Sequence, residues 1–184
     1  MPSASVISTP LYIDIPVPAK TYAGGYKVSV DGTVIAETTD AVEMTTEGVK
    51  VILNEPAVDE NTGEYQIATS ADLLWFAKEV NSGTDFEGKT LVMTQDINMS
   101  GIPWTPIAKD GKLFKGTFDG QDHTISNLKV VATDKSPVGL FASNRGLIKN
   151  VKMQNVDIKG YYKAGAIVGD GLCSRVENCS VDGG

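Results

Sequence analysis

Three copies of one short pattern in the C-terminal half of the chain most constrain its fold. Each copy reads apolar-x-Asn-apolar-x-apolar, and the copies are Ile125–Val130, Ile148–Met153 and Val176–Val181. Their asparagines lie 23 and 28 residues apart. A period of this size is typical of solenoids, in which each repeat buries its apolar face only by stacking on the next. Because apolar positions alternate with polar ones, the pattern predicts a β-solenoid built from stacked strands.

Composition argues against several classes of function. A net charge of −7 disfavours a nucleic-acid partner, which would need clustered Lys and Arg. No apolar stretch approaches the roughly 18 residues of a membrane span, so none is predicted. His123 is the single histidine, and no Cys/His cluster has zinc spacing. We therefore expect no metal and no cofactor, while the oligomeric state is left open.

The N-terminal segment, residues 1–58, alternates apolar and polar residues in short runs. The predicted strands are Leu11–Ile15, Tyr26–Val30, Val34–Ile35 and Val49–Leu53. Asp31 and Gly32 form a tight-turn signal between the second strand and the third. We predict a small β-sandwich-like segment, either a meander or part of a sandwich. Residues 59–64 are polar and contain Gly63, so they are predicted to be a linker.

One helix is predicted at the start of the solenoid, which we assign to residues 65–184. Thr69 and Asp72 fit a capping box, and Gly83 suits a C-terminal cap. Its apolar stripe is made of Leu73, Phe76, Ala77 and Val80. We expect this helix to cover the open end of the stack, which would otherwise expose strand edges and apolar surface. The sequence predicts three to four coils, truncated at the C-terminus.

Several motifs recur in the order and spacing of a known family. They are Asp96–Ser100, Trp104–Ile107, Phe114–Ile125 and Gly139–Phe141. Residues Tyr65 to Val181 thereby resemble the GLUG-motif repeat proteins of bacterial surfaces, with Ala108 and Ala142 where that family usually has glycine. The resemblance implies a right-handed parallel β-helix. It also implies that the chain is an accessory region of a large surface protein. Some large surface proteins with such regions are proteases.

A second, shorter resemblance covers Leu11 to Leu53 and is carried by Pro18–Tyr26. This segment resembles the C-terminal strands of fimbrillin-like β-sandwich domains. Together the two resemblances imply an extracellular or cell-surface protein, such as a lipoprotein or adhesin, and no catalytic residue. The start of the chain has no basic and apolar signal regions. We therefore expect that a signal segment is absent from this sequence.

The candidate catalytic group is His123, which Asp119 or Asp122 could orient as a general base. Because Asp119, Gly120 and His123 belong to the Asp-Gly-x-x-His turn of the repeat, we interpret them as structural turn residues. Five acidic loop residues could bind calcium, although no EF-hand pattern is present, and solvated turns are the favoured interpretation. They are Asp96, Asp110, Asp119, Asp122 and Asp170.

Asn127, Asn150 and Asn178 recur at one place in the pattern. We predict that they form a structural asparagine ladder along the coil axis, the alternative being a polar row that binds a ligand. Asn144 falls outside the pattern and is expected to be exposed. Cys179 replaces an apolar core position and Cys173 precedes it in a loop, so free thiols are favoured over a disulfide.

Tyr161 and Tyr162 are the candidate ligand contacts, because they follow Gly160 in a predicted loop. The alternative is that one ring is packed and the other exposed by chance, while Trp75 is expected to pack on the helix. The function predicted is a non-enzymatic surface module for adhesion or display, with a glycan or a host or bacterial surface protein as partner. The alternative is a polysaccharide-active β-helix enzyme, or an accessory region of a larger surface enzyme.

Overall fold

A computed structural model describes residues 11–15, 20–22, 26–30, 33–38, 42–44, 49–171 and 174–183. By contacts between Cα atoms the chain divides into two compact units, Met1–Asn54 and Glu55–Gly184. Residues 59–64, predicted to be a linker, fall in the second unit. There the Gly63 amide donates to the Asp59 carbonyl in a turn, and Val58 bridges Tyr65.

The first unit is a set of nested antiparallel strand pairs. Its strands are β1 Leu11–Ile15, β2 Lys20–Tyr22, β3 Tyr26–Val30, β4 Thr33–Thr38, β5 Val42–Met44 and β6 Val49–Leu53. β3 pairs with β4, β2 with β5 and β1 with β6. Within the described strands one register shift occurs, at Val28/Ser29. The described strands thus pair antiparallel in three ribbons of two.

The second unit begins with β7 Tyr65–Ile67 and helix α1 Ser70–Ser82, and the rest is short strands. In chain order these are β8 Thr90–Met93, β9 Ile97–Asn98, β10 Thr117–Asp119, β11 Thr124–Ser126, β12 Lys129–Val131, β13 Phe141–Ser143, β14 Leu147–Lys149, β15 Lys152–Gln154, β16 Asp157–Lys159, β17 Val168–Asp170, β18 Arg175–Glu177 and β19 Ser180–Asp182. Most are three residues long, because a sharp corner ends each strand.

The strands of the second unit stack into four parallel sheets, which confirms the predicted β-solenoid. The sheet orders are β18-β14-β10-β8-β7, β19-β15-β11-β9, β12-β16 and β13-β17. Strand partners on adjacent coils lie 26 to 30 residues apart, as in Tyr65↔Leu91, Leu91↔Phe118 and Phe118↔Ile148. This spacing of stacked partners is the true coil period.

The Asn pattern marks corners of the coil rather than whole coils. Asn127, Asn150, Asn155 and Asn178 all have φ between 50° and 57°. Asparagine tolerates this left-handed conformation better than most residues, so it recurs wherever one strand turns into the next. Asn127 ends a strand of one sheet, whereas Asn150 and Asn178 end strands of another. The spacing of 23 residues therefore compares two different corners, and only the spacing of 28 is a coil period.

The core is a column of apolar side chains inside the coils. Leu91, Phe118 and Ile148 occupy the same place in successive coils and are fully buried. Their next partner, Val176, is 44% exposed. In the described residues β18 and β19 are the last strands of their sheets, so the apolar residues of this coil lack a covering layer on one side.

Helix α1 begins and ends as the sequence predicts. The Thr69 hydroxyl accepts from the Asp72 amide, and the Asp72 carboxylate accepts from the Thr69 amide, completing the capping box. Gly83 closes the helix with φ 119°, in the left-handed region. The predicted stripe is buried, and Leu74 and Trp75 are buried beside it.

The helix covers the core next to the terminal strand β7, as predicted. Phe76 is fully buried and stacks on Phe118, with 5.6 Å between ring centroids and 11° between ring planes. It also meets Phe86, Phe114 and Phe141 edge-on. The outer edge of β7 is covered by a different segment, since the Gln66 amide donates to the Ala57 carbonyl. The helix therefore covers the apolar core, and the segment that contains Ala57 covers the edge of β7.

Candidate functional site

Two rows of polar side chains run along the corners of the solenoid, where one ladder was predicted. In the first row Asn155 donates to Asn127, and Asn127 donates to Asn98 at 2.9 Å. In the second row Asn178 donates to Asn150 at 3.3 Å, and Asn150 donates to the Asp119 carboxylate at 2.8 Å. Asn127 therefore does not share a row with Asn150 and Asn178. Every amide in these rows spans adjacent coils, which is the geometry of a structural ladder.

Asp119 is the most heavily bonded carboxylate at these corners and is only 4% exposed. It accepts hydrogen bonds from Asn150 and from the Gln121 amide, and Lys149 Nζ lies 2.9 Å from its Oδ2. Burial by itself would raise the pKa of Asp119, but these donors outweigh burial and hold that pKa below its ordinary value. The carboxylate therefore ties β10 to β14 through partners on the next coil.

Acid should weaken the fold through Asp119. Because its folded pKa is lowered, its contribution to stability is present above the unfolded value of 3.8 and is lost as pH falls through the folded pKa. We expect Asp119→Asn to lower the free energy of unfolding at about pH 6. The difference in this free energy between the variant and the parent chain should become smaller towards about pH 3. Urea titrations of both proteins at the two pH values measure this. A constant gap would contradict it.

Gly120 and His123 lie at the same corner as Asp119. A Cβ on Gly120 would lie 2.4 Å from the Asn150 carbonyl oxygen, so only glycine allows this close approach of two coils. His123 Nδ1 lies 3.2 Å from Asp96 Oδ1, and Asp96 also accepts from the Thr124 amide. Hydrogen bonding from Thr124, with His123 adding to it, lowers the pKa of Asp96. His123 thus links two coils at the surface.

The partner of His123 is not one of the two carboxylates that the sequence suggested. Asp119 is engaged by Asn150 and Lys149, while Asp122 lies 3.3 Å from Lys152 Nζ. Asp96, whose side chain is 74% exposed, takes that place. The His123 side chain is 34% exposed, so the acidic member of the pair is the more open to solvent.

Both candidate ligand contacts lie on the surface, in the loop between β16 and β17. Tyr161 is 71% exposed and Tyr162 is 65% exposed, so neither ring is packed. Lys163 Nζ lies 5.4 Å from the centroid of the Tyr162 ring and 2.6 Å from the Asp170 carboxylate. The ion pair anchors the residue that follows the two rings to the neighbouring strand. An anchored pair of exposed aromatic faces is suited to stacking on a ligand.

The remaining candidates are structural where they are described. Trp75 packs against Tyr65 and Phe86, as expected for the helix. Asn144, expected to be exposed, is only 1% exposed because its side chain bonds Gly146 at both ends of the amide. Cys179 is a free thiol, and burial raises its pKa. Cys173 lies outside the described residues.

The prediction from the sequence missed two corner residues, Asn98 and Asn155. Both belong to the first row. Asn98 does not stand in an apolar-x-Asn-apolar-x-apolar run, whereas Asn155 stands in a further copy of that run, Met153–Ile158, beyond the three given above. The coil period finds both residues, since Asn127 lies 29 residues after Asn98 and 28 before Asn155. Among the described residues no group of three His, Cys, Asp or Glu side chains is placed to hold a metal ion.

Comparison with known proteins gives one distant likeness. A stretch of 119 residues is 30% identical to part of halomucin of Haloquadratum walsbyi, covering 57% of this chain and 1% of that protein. No protein-family model matches the sequence. No solved structure matches it either. No helix in the described part of the chain is long and apolar enough to cross a membrane. The chain is therefore similar to a small part of halomucin, and it spans about 1% of that protein's length.

Proposed function

We propose that this chain is a non-enzymatic module for adhesion or display at the cell surface or in the extracellular medium. The observation that carries the proposal is the pair of exposed rings, Tyr161 and Tyr162, on a stack of short strands. Stacked coils hold their loops in fixed positions at little entropic cost, which favours recognition of a partner by those loops. The partner is a glycan or a surface protein of a host or of bacteria.

Two further observations support this proposal over an enzyme. His123 is engaged in tying two coils together, and its acidic partner is solvent-exposed. The partial likeness is to halomucin, whose name states no enzymatic activity. The resemblance of residues 65–181 to GLUG-motif repeats of bacterial surface proteins points the same way. A polysaccharide-active enzyme, or an accessory region of one, is the second candidate.

A glycan array tests the proposal when it is run with matched tyrosine variants. We expect the parent chain to bind a subset of glycans. Replacing both Tyr161 and Tyr162 with Ala should weaken that binding at least about tenfold, or about 1.4 kcal/mol, because two stacking faces are lost. Replacing both with Phe should preserve it, because the rings remain. If the parent chain and the Ala variant bound glycans equally well, the proposal that Tyr161 and Tyr162 contact the partner would be wrong.

A reducing-sugar assay on the same polysaccharides separates the two candidate functions. The proposed module should release no new reducing ends. Turnover that disappears in Asp119→Asn or His123→Ala, while circular dichroism shows an intact fold, would favour the enzyme instead. Asp119→Asn is informative because the amide keeps the shape of the side chain while it removes the charge.

A further inference from the structure

A small cavity lies between two loops of the solenoid unit. Its volume is about 180 Å³, and one part of its wall is formed by Trp104, Thr105 and Lys109. A second part is formed by the loop after β12, with Thr133, Asp134 and Ser136. The space is large enough for several water molecules. That is the size class of one small polar molecule, such as a single sugar ring.

The first wall is held rigidly by contacts on both sides. The Trp104 indole N–H donates to the Gly139 carbonyl at 3.2 Å, inside the coil. Asn81 of the helix donates to the Pro106 carbonyl at 3.0 Å and accepts from the Lys109 amide at 2.9 Å. The backbone of this loop is therefore fixed before any ligand arrives. A preformed wall lowers the entropic cost of binding.

The second wall carries a carboxylate in a fixed place. Asp134 Oδ1 accepts from the Ser136 amide at 3.0 Å, so the loop is closed around it. The pKa of Asp134 is lowered, mainly by this hydrogen bond, and the positive charge of Lys109 lowers it further. Among the ion pairs of the described residues neither Lys109 nor Asp134 takes part, although both line the cavity. The cavity thus has a donor on one side and an acceptor on the other.

We propose that this cavity binds a neutral sugar ring, held between Lys109 and Asp134. Lys donates hydrogen bonds only, and an ionised carboxylate accepts them only, whereas a hydroxyl does both. A ring with neighbouring hydroxyls therefore satisfies both walls without carrying charge. Apolar residues of the cavity, including Pro106, Val130 and Val138, suit the C–H face of such a ring. Tyr161 and Tyr162 do not line this cavity, so the proposal does not depend on their role.

The two tryptophans of the chain provide the measurement and its internal control. Trp104 lines the cavity, while Trp75 packs on the helix against Tyr65 and Phe86. In a ¹H–¹⁵N correlation spectrum of the full chain, we expect methyl glucoside, methyl galactoside or methyl N-acetylglucosaminide to move the Trp104 indole signal saturably. The Trp75 signal should stay in place. An affinity of about millimolar is expected for one ring.

Three variants make the test specific. Asp134→Ala and Lys109→Met should each weaken the binding of the sugar about tenfold or more, because each variant removes one of the two proposed hydrogen-bonding side chains. Lys135→Met, which removes a neighbouring charge that is not in the cavity wall, should leave affinity unchanged. Dispersed spectra of the variants verify that they fold. The affinities of the free sugars are compared with those of the methyl glycosides. This comparison shows whether the cavity prefers a free sugar or a sugar linked at the end of a glycan, and either preference supports the site.

Three outcomes would overturn the proposal. The first is that no glycoside moves the Trp104 signal saturably at about 100 mM, far above a millimolar dissociation constant. The second is that both cavity variants bind as tightly as Lys135→Met. The third is that glycine, a zwitterion that could bridge the two charges, binds more tightly than every sugar.

Discussion

Phe76→Ala should lower the free energy of unfolding of the solenoid unit by about 3–5 kcal/mol, the usual range for removing a buried aromatic ring. Phe76 is fully buried and contacts Phe86, Phe114, Phe118 and Phe141, so its ring connects the helix to the core of the coils. Because both tryptophans lie in this unit, urea unfolding followed by their fluorescence measures the effect.

Lys78→Ala is the matched control for this effect. Lys78 lies on the same helix and is exposed, and lysine and alanine differ little in helix propensity. We expect this variant to unfold within about 0.5 kcal/mol of the parent. If Phe76→Ala were as mild as Lys78→Ala, the helix would not be a stabilising cap.

Asn150→Leu should be the second most damaging change, at about 2–5 kcal/mol. Two costs combine. Leucine in the left-handed conformation that Asn150 adopts, φ 55°, costs about 1–2 kcal/mol. The loss of its hydrogen bond to the buried carboxylate of Asp119 costs about 1–3 kcal/mol more. The same urea titration at neutral pH measures the sum.

Asn155→Leu separates these two costs. Asn155 has nearly the same backbone conformation, φ 52°, but it is exposed, and its amide donates to Asn127 rather than to a buried charge. The left-handed penalty is therefore common to both variants. The difference between them should be about 1–3 kcal/mol, which is the contribution of the bond to Asp119. Equal destabilisation would show that the second row adds nothing beyond its backbone turns.

Local signals in the sequence predicted the helix in detail. Its capping box, its apolar stripe and its terminal Gly83 depend on residues within a few positions of one another, and each was confirmed. The β-solenoid class was also predictable, because alternating apolar residues that recur at solenoid spacing leave few other ways to bury them. The strand between Tyr65 and Ile67 was not, since three residues carry too short a pattern.

The prediction from the sequence was wrong about which asparagines stack on one another in successive coils. The same Asn pattern serves different corners, because any sharp turn that needs positive φ selects Asn, whichever sheet the strand belongs to. Spacing alone could not tell Asn127, at the end of β11, from Asn150, at the end of β14. The first unit shows the same limit. Four of its six described strands were predicted, whereas β2, β5 and the nested pairing were not, because pairing depends on contacts distant in sequence.

The sequence by itself determined the stacked β architecture, the helix that caps it and three of the asparagines that turn its corners, because these follow from local periodicity and backbone preference. Only the tertiary structure decided which side chains meet. Asp119 is buried against Asn150 and Lys149, His123 reaches Asp96, and Lys109 shares a cavity with Asp134. These partners are separated by 25 to 31 residues, and stacking of the coils brings them together.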